Sequence, residues 1–89
     1  MTEQELASAL EGTDASGLLA SLGFTLGFVA KNVMSVGGPV TVAQVSMLWM
    51  GMPNKHDRKR TRQLLDALAS AGLLTATGED TYELRKGNV

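Results

Sequence analysis

Five of the eight residues from Lys55 to Arg62 are basic: Lys55, Arg58, Lys59, Arg60 and Arg62, in a chain whose formal net charge is −1. Ammonium and guanidinium groups at this density neutralise phosphate, and a guanidinium can also bind a guanine edge through two parallel hydrogen bonds. Gln63, next in the chain, has the amide that pairs with adenine. The run leads into Leu64, Leu65, Leu68 and Ala71, an apolar seam at helical spacing that stops at Gly72. At about 100° per residue, Asp57, Thr61, Leu64, Leu65, Leu68 and Ala71 share the buried side. Lys59, Arg62, Gln63 and Asp66 face outward, Lys55 and His56 lie near them at the helix start, and Arg58 and Arg60 occupy opposite flanks. Positive charge at a helix N-terminus opposes the macrodipole. The arrangement therefore costs stability unless an anion meets it, which favours nucleic-acid contact over a merely solvated face.

Other chemistry lacks its residues. His56 is the single histidine and has no nucleophile beside it; there is no cysteine. No His, Cys and carboxylate cluster has metal-ligand spacing, and no glycine-rich segment ends in the lysine of a phosphate loop. Glu79 and Asp80 are adjacent at a turn, a poor geometry for paired acid–base work. The expectation is a protein that is not an enzyme and carries no cofactor and no metal.

The elements that must position the basic run read from the N-terminus. Thr2 and Glu5 match a capping box for a short helix that ends near Gly12. Asp14 or Ser16 caps a second helix, expected to run unbroken to about Ser35 on the stripe Leu18, Leu22, Leu26, Val29 and Val33 before Gly37-Gly38-Pro39 stops it. Thr41 caps a third helix, Val42 to about Met50, and Gly51-Met52-Pro53-Asn54 turns the chain into the basic helix. Met47, Met50 and Met52 around Trp49 read as core filler. Residues 73–76 and 81–85 are compatible with a hairpin closed through Thr77-Gly78-Glu79-Asp80.

With 89 residues and a hydrophobic fraction of 44%, one domain with one modest core is expected. The apolar stretch from Gly17 to Ala30 is shorter than the roughly 20 residues that span a bilayer, so no membrane contact is expected. The acidic N-terminal residues Glu3, Glu5 and Glu11 do not resemble a signal peptide, which points to a cytoplasmic or other intracellular location. The near-neutral total hides opposite blocks: four acids and no base in residues 1–14, five bases in residues 55–62. The apolar positions of residues 17–36 exceed what so small a core should need, and suggest a homodimer closed through that segment.

From Thr41 to Arg85 the chain resembles winged-helix transcription regulators. The resemblance rests on Thr41-Val42-Ala43-Gln44-Val45 opening the first helix of the motif and on Leu65, Leu68 and Ala71-Gly72-Leu73-Leu74 closing the second. It implies a mainly α fold with a small β-hairpin: N-terminal helices in residues 1–36, a helix-turn-helix in 41–72 and a hairpin wing in 73–86. It also implies a small protein that binds double-stranded DNA, with the helix beginning near Lys55 in the major groove. The expected contacts are Lys55, Arg58, Lys59, Arg60, Arg62 and Gln63, assisted by Arg85 and Lys86 at the hairpin base. Two departures stand out. The segment after Gly51 is about one turn longer than the common pattern, and the wing tip carries Glu79 and Asp80, which phosphate repels. The alternative is a protein-interaction module on the same scaffold, its basic helix gripping an acidic protein or its apolar N-terminal helix docking a partner.

Overall fold

A computed structural model describes residues 2–36 and 38–84. Within them the chain is mostly helical, with one small antiparallel sheet. The elements in order are α1 (Glu3–Leu10), α2 (Asp14–Leu22), α3 (Leu26–Asn32), β1 (Val40–Thr41), α4 (Val42–Met50), α5 (Lys55–Ser70), β2 (Leu74–Gly78) and β3 (Thr81–Leu84).

Local chemistry sets most helix ends. Capping boxes open three helices: Thr2 with Glu5 at α1, Thr41 with Gln44 at α4, and Asn54 with Asp57 at α5. In each, the cap side chain accepts the N3 amide while the N3 side chain accepts the cap amide, so two otherwise unpaired donors are satisfied. At Glu5 the Thr2 amide and hydroxyl hold the carboxyl below its ordinary range. At the other end of α5, Gly72 adopts φ +87°. Its N–H donates to Ala69 O and the Leu73 N–H to Leu68 O, both at 3.0 Å, a closure that requires a left-handed residue.

The single long helix expected from residue 14 to 35 is two helices. Gly23 turns left-handed at φ +88°, its N–H donates to Ala20 O, and the Phe24 N–H donates to Leu19 O. Thr25 then caps α3 by accepting the Phe28 amide at 3.1 Å. The apolar stripe continues across this break because Phe24 is buried in the bend, which explains why periodicity alone read it as continuous.

α5 is the central element. It packs against α2, α4 and β2, while α1 packs on α3. Leu64, Leu65 and Leu68 are fully buried, in one core with Leu6, Leu10, Leu19, Val29, Val33, Val42, Val45, Leu74 and Tyr82. The sheet order is β1-β3-β2. Val40 pairs with Tyr82 and Thr41 with Thr81, so the start of α4 is joined to the hairpin. The two-residue β1 has no periodicity to show in sequence. Leu74 and Tyr82 anchor the hairpin in the core, while Thr75–Gly78 is exposed. The register slips between Ala76 and Gly78, before the Glu79-Asp80 turn.

Among the described residues no helix is long and apolar enough to cross a membrane. The apolar surplus of residues 17–36 is taken up inside the chain: Leu19, Phe24, Val29, Ala30, Val33 and Met34 are buried, and Leu22, Leu26, Phe28 and Val36 pack against them. Leu18, 38% exposed, is the one large apolar side chain of that segment left open to solvent to this degree among the described residues. The premise for a dimer through residues 17–36 is therefore not met. The methionines reverse the expectation too. Met47, Met50 and Met52 are exposed, with Met52 at 92%, and Trp49 alone of that cluster turns inward.

Candidate nucleic-acid interface

The basic run forms the first two turns of α5, and the buried side follows the helical wheel except at its end: Asp57, Thr61, Leu64, Leu65 and Leu68 are buried and Ala71, the C-cap, is half-buried, whereas Lys59, Arg62, Gln63 and Asp66 are exposed. A buried polar knot holds the helix in place. The Thr61 hydroxyl donates to Asp57 O at 2.9 Å and accepts from Trp49 Nε1 and Ser46 Oγ, each at 2.9 Å. All three side chains are satisfied by this one oxygen and its proton, so α4 and α5 are fastened at a single rotational setting.

The macrodipole conflict is eased inside the chain. Asp57 sits in the first turn, accepts the Asn54 amide at 3.0 Å and places a carboxylate where the helix N-terminus is positive.

The five cations have different fates. Arg60 points into the protein: its guanidinium donates to Leu22 O, the last carbonyl of α2, and lies 4.9 Å from the Trp49 ring centre. Trp49 in turn meets Phe24 edge-on at 5.0 Å, and Phe24 meets Phe28 at 5.9 Å. A cation on the carbonyl end of α2 and over a π face is favourable on both counts. Arg60, half-buried, thus acts as a structural clasp joining α2, α4 and α5. Arg62 is exposed but paired. Its Nε donates to Asp80 Oδ1 at 2.7 Å and its Nη2 to Asp80 Oδ2 at 2.9 Å. The pairing lowers the Asp80 pKa and raises that of Arg62. Arg58 donates to Pro53 O at 3.2 Å and remains exposed. Lys55, Lys59 and Gln63 are exposed at steps of four on one face and make no side-chain hydrogen bond or ion pair among the described residues. Arg85 and Lys86, the remaining predicted contacts, lie outside the described residues.

Two features escaped sequence reasoning. Asp80 stood out only as a charge that phosphate repels, whereas it is the partner of Arg62. The acid-bearing turn was the available signal, but nothing local aimed it at α5. The other is an open groove of about 450 Å³ beside α4, lined by Val36, Pro39, Val40, Val45, Met47 and Leu48 with Asn32 and Gln44. Among the described residues no cluster of His or carboxylate side chains is arranged to hold a metal ion. The chain matches no known protein-family model, no curated protein and no solved structure.

Proposed function

We propose that the chain is a small winged helix-turn-helix protein that binds double-stranded DNA and acts in transcriptional regulation. In this reading α4 and α5 are the helix-turn-helix, β2 and β3 are the wing, and the exposed face of α5 enters the major groove. The element order β1-α4-α5-β2-β3, with β1 paired to β3, supports the scaffold. The observation that carries the function is the row Lys55, Lys59 and Gln63, flanked by Arg58, on one exposed face of a helix fastened to the core by its opposite side. Two lysines without an internal anion neutralise phosphate, and Gln63 can hydrogen-bond a base edge.

The test is fluorescence anisotropy of a labelled random-sequence duplex at low salt. Wild-type protein binds, and Lys55→Ala with Lys59→Ala weakens binding by about tenfold or more. Absence of binding by the wild-type protein would overturn the reading.

A second reading is a protein-interaction module on the same scaffold. It is favoured by the exposed Met47 and Leu48 beside the α4 groove, because flexible methionine surfaces repack against varied partners. The basic face of α5 would then meet an acidic protein.

A further inference from the structure

We propose that Asp80 is a positioning residue that makes Arg62 a reader of a guanine edge, leaving phosphate to Lys55, Arg58 and Lys59. This rests on the DNA-binding reading above and divides the labour within that surface.

The division follows from which nitrogens are already in use. A guanidinium has five N–H groups. Arg62 spends two of them, one on Nε and one on Nη2, side-on against the two oxygens of Asp80. Three remain: both on Nη1 and the second on Nη2. The free Nη1 and Nη2 hydrogens form the distal fork of the side chain, which is the pair that matches O6 and N7 of guanine. The carboxylate on its flank also takes away rotamer freedom, so the fork is held in one plane before any base arrives.

Charge argues the same way. Arg62 and Asp80 together are neutral, so their attraction to a phosphate chain is small. The directional donors survive the pairing, because a neutral acceptor pair such as O6 and N7 needs aligned N–H groups rather than net charge. Lys55 and Lys59 are the opposite case, point charges with no carboxylate beside them among the described residues.

The anchor behind Arg62 is firm. Asp80 holds a left-handed backbone at φ +55°, a conformation Asp tolerates better than most residues. Its carbonyl accepts the N–H of Val42, the first residue of α4, at 3.0 Å. Asp80 thus touches the start of α4 with its backbone and the exposed face of α5 with its side chain. The hairpin turn need not reach DNA itself; it holds the side chain that does.

The test uses full-length protein and selection from a duplex library randomised over about two helical turns, with salt titrations on the selected and on a scrambled duplex. The wild type enriches a site with one dominant G·C pair. Arg62→Lys and Arg62→Ala lose about ten- to a hundredfold discrimination at that pair, with the salt slope unchanged. Asp80→Asn keeps the turn, since Asn also tolerates the left-handed region. It loses the same discrimination while its log K against log salt slope steepens by about 0.9, as a released Arg62 charge takes up a phosphate. The proposal is overturned if Arg62→Ala weakens all duplexes alike and flattens the slope, which marks a phosphate contact. It is also overturned if Asp80→Asn changes neither base preference nor slope, which marks a purely structural ion pair. Failure of wild-type protein to bind any duplex instead sinks the DNA-binding reading and this proposal with it. Binding that depends on Lys55 and Lys59 but is indifferent to Arg62 sinks this proposal alone.

Discussion

Thr61 shows how much one side chain can decide. It is fully buried and is the shared partner of Trp49 and Ser46. Thr61→Val keeps the volume but strands both donors, and an unpaired buried donor costs about 1–3 kcal/mol. Urea unfolding of Thr61→Val should show a lower midpoint at unchanged slope, a stability loss of comparable size, with Thr61→Ser recovering most of it. Tyr82 offers a pH test. Burial, and then the hydrogen bond its hydroxyl donates to Asp66, push its pKa up to about 12 from an ordinary value of 10.0. The unfolded chain therefore releases this proton at lower pH than the native one. The contribution is complete below about pH 10 and is lost as pH rises toward about 12. Tyr82 is the only tyrosine, so phenolate absorbance follows it alone. Native protein should titrate about two units above urea-unfolded protein, and Tyr82→Phe should abolish the alkaline loss of stability that belongs to this group.

At the level of elements, helix ends carry the consequences. The α5 start combines an Asn54 cap with the Asp57 carboxylate and so accommodates the cations around it. Asn54→Ala should lower stability by about 1 kcal/mol, seen as a fall of several degrees in Tm. The α2–α3 bend depends on Gly23 at φ +88°, where an added Cβ would lie 2.8 Å from the Arg60 guanidinium. Gly23→Ala forces a left-handed alanine and moves Arg60 off the end of α2. A loss of about 1–2 kcal/mol is expected from the backbone alone, measured by chemical denaturation.

For the molecule as a whole, the pairing of cations changes what binding should look like. Five bases acting together would give a slope of log K against log salt near −4.5. With Arg60 turned inward and Arg62 neutralised by Asp80, Lys55, Arg58 and Lys59 give about −3. A measured slope near −4.5 would show that the internal pairings open on binding. The apolar surface has also moved relative to expectation, from residues 17–36 to the outer side of α4. Leu18→Glu should therefore leave the sedimentation coefficient of the protein unchanged. A shift to a smaller species would restore the idea of a dimer through that segment.

The parts of this protein legible in its sequence are those whose partners lie within a few residues. The Thr2, Thr41 and Asn54 caps bond three positions ahead, Gly72 ends α5 through its own φ, and the leucine seam of α5 follows from helical period alone. The exposed face of α5 is legible for the same reason, since a wheel assigns Lys59, Arg62 and Gln63 to one side wherever the helix packs. Which cations of α5 stay available is a different matter, because Leu22, Trp49 and Asp80 reach Arg60 and Arg62 only after distant segments fold together. The bend at Gly23, the pairing of Val40 and Thr41 with β3, and the outward turn of Met47 belong with them. Hydrophobic pattern records how much surface must be buried, but not which neighbour buries it. That choice rests on the packing of α5 among α2, α4 and the hairpin, where contacts far apart in the chain compete for the same side chains.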